Sequence, residues 1–206
     1  NVYDGSGMRV KKIEDGKTVY FVYNGNDPIV EYEAGDSKYT YYISAGKQTV
    51  AEESGGVVRY YHKDHLGSTR VMTDASGAKV KKYAYELFGK VIVGADGEQQ
   101  FTGKKQDGTG LFYFGARFYD PEIGRFIISD PAKQGINWYA YCFNNPINNT
   151  DNNGKWSAPV HTRITYAALK GSIFNKDMQK AIVAANVATD TKDSRYNQSQ
   201  HFDFNH

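Results

Sequence analysis

A short run of histidine and carboxylate residues is the first place where the side chains could do chemistry. His62, Asp64 and His65 are close in the sequence, and imidazole and carboxylate are ligands that Zn²⁺ accepts. An extended segment could place two of them on one side. The alternative, which we favour over a metal site, is that they only take part in hairpin packing. The single cysteine, Cys142, cannot form an intramolecular disulfide, and we expect a small buried side chain there.

The elements around these residues are short aromatic or alternating runs, separated by turn dipeptides, through residues 2–128. Asp-Gly and Asn-Gly supply the positive φ angles that tight hairpins require. Because one hairpin is marginally stable in water, many must pair edge to edge, as in repeat architectures. We therefore predict antiparallel hairpins throughout this stretch. The turn pairs are Asp15-Gly16, Asn24-Gly25, Ser76-Gly77, Asp96-Gly97 and Asp107-Gly108, and the runs include 18–23, 38–43, 57–61 and 79–85.

The composition agrees with a β-structure, because 17 Tyr and 21 Gly accompany only 5 Pro in 206 residues. The formal net charge of +2 is too small to indicate nucleic-acid binding by bulk electrostatics. No run approaches the roughly 20 apolar residues of a membrane-spanning helix. We therefore expect no membrane segment.

The pattern changes after Gly154. Residues 158–169 and 177–188 are rich in Ala, Ile, Val and Leu and contain no glycine. The apolar spacing of the second stretch favours a helix, which Asn175 or Asp177 could cap. We predict two parts, residues 1–154 and 155–206, and we expect the chain to be a piece of a longer protein.

Three dense motifs occur in order along the first part. Residues 60–70 read YYHKDHLGSTR, residues 110–126 read GLFYFGARFYDPEIGRF, and NWYAY at 137–141 is followed by NNP at 144–146. They resemble the YYxxDHLGSTR, GLYYYGARYYDPxxGRF and NxYxYxxNNP elements of RHS/YD-repeat proteins. The core of that family is shared by bacterial polymorphic toxins, the C component of Tc toxins and, more distantly, teneurins.

The resemblance implies a mainly β fold, followed here by a short α-helical segment. In the family, a strip of antiparallel hairpins forms a hollow β-shell around a cargo, and the RHS-associated core closes its end as a plug. The partners implied are the shell upstream of this chain, an immunity protein and secretion machinery. The location implied is that of a secreted effector delivered into a target cell.

The family's core is also similar to a self-cleaving aspartyl protease, whose two carboxylates must lie close enough to share a proton. The resemblance assigns these roles to Asp130 and Asp151. Arg125 matches the family's arginine next to the site, where it could position a carboxylate or the scissile carbonyl. The cleavage position of the family transfers to the bond between Lys155 and Trp156.

The sequence departs from the family's two DPxG elements. The first reads Asp130-Pro-Ala-Lys, with its glycine displaced to Gly135, and the second reads Asp151-Asn-Asn-Gly154, without a proline. Both aspartates remain, so the acid–base chemistry is retained. The missing proline relaxes the turn, and we expect slower cleavage because of poorer positioning. The alternative is that Asp130 and Asp151 are only turn residues.

Cleavage there would leave Trp156 as a new N-terminus. The segment that follows resembles the start of the trinuclear-zinc nuclease and phospholipase C superfamily, in which a first tryptophan binds zinc through its α-amine and carbonyl. The implied zinc ligands are Trp156, His161, Asp190 and His201. A zinc-activated phosphodiesterase of this kind would act on nucleic acid or phospholipid. The alternative is an ordinary helical pair with solvent-facing His161 and Asp190, and no cofactor is expected for the shell and core.

Two functions stay open at this point. One is a shell-closing core that cleaves itself and releases a toxin, and the other is a non-enzymatic scaffold or adhesive surface, as in teneurin-like proteins. Retention of both Asp130 and Asp151 beside the change of composition at Trp156 favours the first. The second predicts that replacing either aspartate by asparagine leaves the chain length unchanged.

Overall fold

A computed structural model of the chain describes residues 1–46, 48–94, 97–131, 137–155, 169–170 and 175–191. The chain divides into two compact units, Asn1–Ser157 and Ala158–His206. Within the described residues, no helix combines the length and the apolar character that crossing a membrane requires.

Nine consecutive strands form one antiparallel sheet, in which each strand pairs with its neighbours in the sequence. The sheet is therefore a meander of hairpins, as the turn pairs and alternating runs predict. The strands are β1 (Val2–Tyr3), β2 (Arg9–Glu14), β3 (Lys17–Asn24), β4 (Asp27–Glu33), β5 (Lys38–Ala45), β6 (Gln48–Ser54), β7 (Val57–Lys63), β8 (Thr69–Asp74) and β9 (Lys79–Lys82).

The connection between β2 and β3 shows why the turn dipeptides are needed. Asp15 and Gly16 have φ angles of 49° and 77°, which is the left-handed region that a two-residue hairpin turn requires. The predicted turn at Asp107-Gly108 differs in detail, because Gly110 (φ 81°) donates its N–H to the Asp107 carbonyl. Asp96 lies outside the described residues.

A longer Asp-x-x-Gly turn recurs at Asp4, Asp64 and Asp74. In each, one carboxylate oxygen accepts backbone N–H groups from the residues two and four positions later, at 2.9–3.0 Å. The glycine N–H donates to the aspartate carbonyl. The side chain thus closes the turn that the backbone begins, which explains the DHLGS part of the motif at residues 60–70.

The two faces of the nine-stranded sheet differ. Tyr42, Tyr61 and Met72 are buried on the face that packs against the rest of the unit, which we call the inner face. On the outer face Tyr20 and Tyr39 flank Tyr32, with ring centroids 6.2 and 4.7 Å from its own. Tyr20 and Tyr39 are 42% and 47% exposed, so part of the tyrosine content serves cross-strand pairing rather than burial.

The rest of the first unit is an aromatic core with very short strands. Six rings, each at most 3% exposed, form one buried cluster, and four of them belong to the motif at residues 110–126. They are Phe101, Phe112, Phe114, Tyr119, Phe126 and Tyr141. The strands are β10 (Ala84–Tyr85) and β11 (Val91–Val93), which pair, and β12 (Phe112–Tyr113), β13 (Phe118–Asp120) and β14 (Arg125–Phe126), which form a three-stranded sheet. Short 3-10 turns occur at Phe101–Gly103 and Cys142–Asn144.

In the second unit, helix α1 (Lys176–Thr191) covers the predicted helical segment. Of the two cap candidates, the side-chain oxygen of Asn175 accepts the N–H groups of Asp177 (3.1 Å) and Met178 (2.9 Å). Such a cap satisfies donors that the first turn leaves without a helical partner. The prediction of a mainly β fold followed by a short helical segment is confirmed.

Candidate active site

Asp151 begins a buried Asp-x-x-Gly turn of a second kind, in which the glycine N–H donates to the carboxylate and not to the aspartate carbonyl. Its side chain is almost fully buried, the residue being 3% exposed. One carboxylate oxygen, Oδ1, accepts the N–H groups of Asn153 (3.2 Å) and Gly154 (2.8 Å). The other, Oδ2, lies 3.3 Å from Nη2 of Arg117. Backbone donors and a guanidinium together fix the orientation of this carboxylate.

Arg117 connects three parts of the core. Its Nε donates to the Gly154 carbonyl, Nη1 donates to the Trp138 carbonyl at 3.0 Å, and Nη2 donates to Asp151. The guanidinium carbon also lies 3.6 Å from the centroid of the Phe126 ring. Burial lowers the pKa of Arg117, against the opposing effect of the nearby carboxylates. Because Arg117 is 1% exposed, its charge depends on these partners for compensation.

Asp130 approaches the same arginine from another segment and is fully buried, with 0% exposure. Its backbone N–H donates to the Trp138 carbonyl at 2.9 Å, which is the carbonyl that also accepts from Arg117. The charge of Asp130 acts on the guanidinium, raising the pKa of Arg117 as Asp151 does. Asp151 therefore contacts the buried guanidinium directly, whereas Asp130 shares the Trp138 carbonyl with it and acts on it through its charge.

The segment between Asp130 and Asp151 folds back along β14. The Phe126 N–H donates to the Tyr139 carbonyl at 3.0 Å, and Arg125 forms an isolated bridge with Ala140. The returning segment around Tyr139 and Ala140 therefore runs beside β14.

Arg125 itself is placed differently from its predicted role. Its side chain is exposed, whereas the next residue, Phe126, is buried, because successive side chains of a strand point to opposite faces. In the described part of the chain Arg125 forms no ion pair. The arginine that contacts Asp151 is Arg117, which sequence reasoning missed. The sequence feature that could have identified Arg117 is a charged residue two positions before the buried Tyr119, and therefore on the same inward side as that ring.

Gly154 lies directly before Lys155, the residue of the predicted cleavage position. It has a φ of 74°, and a Cβ there would lie 3.0 Å from the backbone nitrogen of Arg117 and 3.3 Å from Cβ of Phe114. Only glycine combines a favourable positive φ with the absence of a Cβ. The Asn153 carbonyl accepts the Ala116 N–H at 3.0 Å, so residues 151–155 are joined to the segment that carries Arg117. Lys155 donates its N–H to Oδ1 of Asn153 at 2.9 Å, and Trp156 lies outside the described residues.

Cys142 begins an unusual backbone segment next to the site. Cys142, Phe143 and Asn144 have φ angles of 49°, 52° and 59°, a conformation that costs about 1–2 kcal/mol for each non-glycine residue. Burial, and then the charge of Asp151, raises the pKa of Cys142 to about 12. It therefore remains a thiol at neutral pH and lacks the thiolate of a nucleophilic cysteine. The prediction of a buried, unpaired cysteine is confirmed.

The histidines considered as metal ligands in residues 62–65 each contact a different part of the protein. His62 Nε2 lies 3.0 Å from Oγ1 of Thr73, and His65 Nε2 lies 3.1 Å from the Ile147 carbonyl oxygen. Of the implied zinc ligands, Trp156, His161 and His201 lie outside the described residues, and Asp190 is described only as part of the α1 backbone. Among the residues that are described, no cluster of three His, Cys, Asp or Glu could hold a metal. The zinc hypothesis therefore stays a prediction.

Comparison with known proteins agrees with the hairpin sheet and the aromatic core. The family model of the Teneurin YD-shell matches residues 2–147. The chain belongs to this family. It is 34% identical over 170 residues to the tRNA nuclease WapA of Bacillus subtilis (strain 168), covering 75% of this chain and 7% of that protein. It is also 34% identical over 98 residues to toxin subunit YenC1 of Yersinia entomophaga, covering 42% and 10%.

Among solved structures, that of TcdB2-TccC3 superimposes with a TM-score of 0.59 and 25% identity, over 74% of this chain and 9% of that one. The YD-shell chain thus spans a tenth or less of each of these three proteins. The resemblance to an RHS/YD-repeat shell element, as found in toxins, is confirmed.

Proposed function

We propose that this YD-shell segment closes the end of a toxin shell and cuts its own chain between Lys155 and Trp156, with Asp130 and Asp151 as the acid–base pair. The supporting observation is that both aspartates are buried and act on the guanidinium of Arg117. The same guanidinium holds the carbonyl of Gly154, one residue before the scissile peptide.

The carboxylate pair supplies both proton transfers of peptide hydrolysis. One aspartate accepts a proton from water as the water oxygen bonds to the Lys155 carbonyl carbon, and the other donates a proton to the Trp156 nitrogen as the peptide bond breaks. Between these two proton transfers, negative charge develops on the Lys155 carbonyl oxygen. The positive charge of Arg117, which is bonded to the Gly154 carbonyl one residue earlier, would favour this negative charge.

The relatives support a role in toxin delivery. WapA is a tRNA nuclease, and YenC1 is a toxin subunit. By analogy, the shell segment would act outside the producing cell or in a target cell, together with an upstream shell, secretion machinery and an immunity protein. The part after Trp156 would be the toxin, with zinc phosphodiester hydrolysis as the activity that the sequence implies.

Intact-mass spectrometry of the purified chain tests the cleavage. The parent is expected to separate into two fragments at Lys155–Trp156. Asp130→Asn and Asp151→Asn are expected to slow this by about 100-fold or more, because each removes one proton-transfer group. Asparagine keeps the size of the side chain but removes one of the charges that compensate Arg117, so the circular dichroism of each variant must match that of the parent before slower cleavage is assigned to proton transfer.

Asp120→Asn is the matched control. Asp120 accepts the Glu122 N–H at 2.8 Å in a turn of similar sequence, Asp-Pro-Glu-Ile-Gly, and among the described residues it forms no ion pair with an arginine. The Asp120→Asn variant should cleave itself at the same rate as the parent. If the parent and all three variants keep the full chain mass, self-cleavage is wrong and a non-cleaving scaffold describes the chain better.

A further inference from the structure

Residues 98–107, which we call the strap, cross the inner face of the nine-stranded sheet. Their side chains bond to strands from one end of the sheet towards the other, and most of these groups are buried or half-buried. The contacts are Glu98 with Lys81 on β9, Gln99 with Lys63 on β7 and Thr49 on β6, Lys105 with Glu31 on β4 and Tyr42 on β5, and Asp107 with Arg9 and Lys12 on β2. The strap can satisfy this row of polar groups only when the strands are paired in their proper register.

The strap also leads directly to the candidate active site. After a turn at Asp107, the chain returns as β12, and the Tyr113 N–H donates to the Lys105 carbonyl at 3.4 Å. Arg117 follows in the turn between β12 and β13, where its carbonyl accepts the Phe114 N–H at 3.0 Å. Phe101 of the strap packs on Tyr141, with ring centroids 6.0 Å apart. Displacement of the strap would therefore move the segment that holds Arg117.

Arg9 on β2 contacts the hairpin that joins the strap to β12 at several points. Its guanidinium bonds to Asp107 through both terminal nitrogens and lies 4.4 Å from the Tyr113 ring centroid and 5.8 Å from that of Phe118. Its backbone N–H donates to the Tyr113 hydroxyl at 2.9 Å. A residue early in the sheet is thus in contact with both sides of the segment that carries Arg117.

We propose that the strap makes a completed inner face of the sheet a condition for self-cleavage. Arg9 and Glu31 are positioning residues, which act on Arg117 through Asp107 and Lys105. This rests on the proposed function of the Asp130 and Asp151 pair. Its consequence is an order of events, in which the chain is cut only after the sheet that precedes the site has formed.

The test uses Arg9→Lys, which keeps the positive charge but loses the two-pronged bond and the planar contact with the rings. We expect self-cleavage to slow by about 10- to 100-fold, since small displacements of a reacting group have effects of this size. Glu31→Gln is expected to act in the same direction. Glu33→Gln is the control, because Glu33 lies on the same strand and pairs with Lys17 at 2.7 Å but has no described contact with the strap.

Hydrogen exchange in the slowly cleaved Asp130→Asn background separates this inference from the proposed function. Adding Arg9→Lys should speed exchange of the Ala116 and Gly154 amides by about tenfold or more, while β5 to β7 keep their protection. Unchanged exchange at these two amides would overturn the coupling, and so would a loss of protection throughout β5 to β7, because Arg9 would then support the whole fold. If the parent chain is never cut, the proposed function fails, and the exchange result alone still decides whether the strap couples sheet and site.

Discussion

The nine-stranded sheet and the aromatic core belong to the same compact unit, but different interactions hold them together. The sheet has strands of up to eight residues, and its inner face contains buried charged groups such as Arg9, Glu31 and Glu52. The core has strands of two or three residues and depends on packed rings. Directional polar bonds require register, whereas ring packing needs volume and shape. The sheet therefore specifies alignment, and the core supplies much of the apolar burial.

One sequence motif, Asp-x-x-Gly, shows the same contrast. At Asp64 in the sheet region, the second carboxylate oxygen lies 3.9 Å from a half-exposed Arg70. At Asp151 in the core, the corresponding oxygen lies 3.3 Å from Arg117, which is fully buried. Sequence motif and partner type are alike, but only the buried pair is shielded from water. Whether such an aspartate can take part in proton transfer therefore depends on the burial of the turn more than on its sequence motif.

The largest stability effect that we expect comes from the rings of the core. Tyr119→Ala should lower the free energy of unfolding by about 3–5 kcal/mol, because it leaves a cavity in a cluster where Tyr119 is fully buried. Tyr20→Ala on the outer face of the sheet should cost less than about 1 kcal/mol. Urea denaturation of the two variants measures both values. Equal losses would contradict the assignment of the core as the main apolar contribution.

A smaller effect is expected at Asp107, where the strap meets β2. Burial raises the pKa of Asp107, but Arg9 and Lys12 outweigh burial and hold it below its ordinary value. Its contribution is therefore present above about pH 4 and lost as the pH falls through the folded pKa, where the unfolded chain binds more protons. Asp107→Asn should cost about 1.5–3 kcal/mol at pH 7.

The corresponding measurement is the urea midpoint of the parent and of Asp107→Asn at neutral pH and near pH 3. The gap between the two proteins should narrow in acid. A gap that is the same at both pH values would show that the charge of Asp107 does not contribute, and that the sheet and core are joined by packing alone.

The smallest of the three effects concerns Lys63. Burial, followed by the charge of Lys104, lowers the pKa of Lys63 to about 8. Above that pH the unfolded chain holds a proton that the folded chain has released, so stability should rise with pH, by at most about 1.4 kcal/mol per pH unit.

Thermal unfolding between pH 7.5 and 9.5 measures this rise. It should be flatter in Lys63→Met than in the parent, whereas Lys82→Met, which changes an exposed lysine on β9, should follow the parent. The same slope in all three proteins would exclude a contribution from Lys63.

Local features of the sequence predicted much of this fold. Asp15-Gly16 forms a turn because two residues with positive φ are needed there, and Asn175 caps α1 through its own side chain. The predicted aspartates, Asp130 and Asp151, lie near one buried arginine. The arginine expected beside them was Arg125, whereas the one in contact is Arg117. The choice could not be read locally, because it depends on which side of β13 and β14 faces the rings.

The hairpins, their turns and the change of pattern after Gly154 can be read from the sequence alone, since they depend on backbone angles and on the alternation of neighbouring side chains. Two sets of contacts arise only in the folded chain. They are the bonds of the strap across the inner face of the sheet and the bonds of Arg117 to Asp151 and to the Gly154 carbonyl. These contacts join residues that are far apart in the chain. Their formation depends on the register and packing of whole elements, which no short stretch of sequence contains.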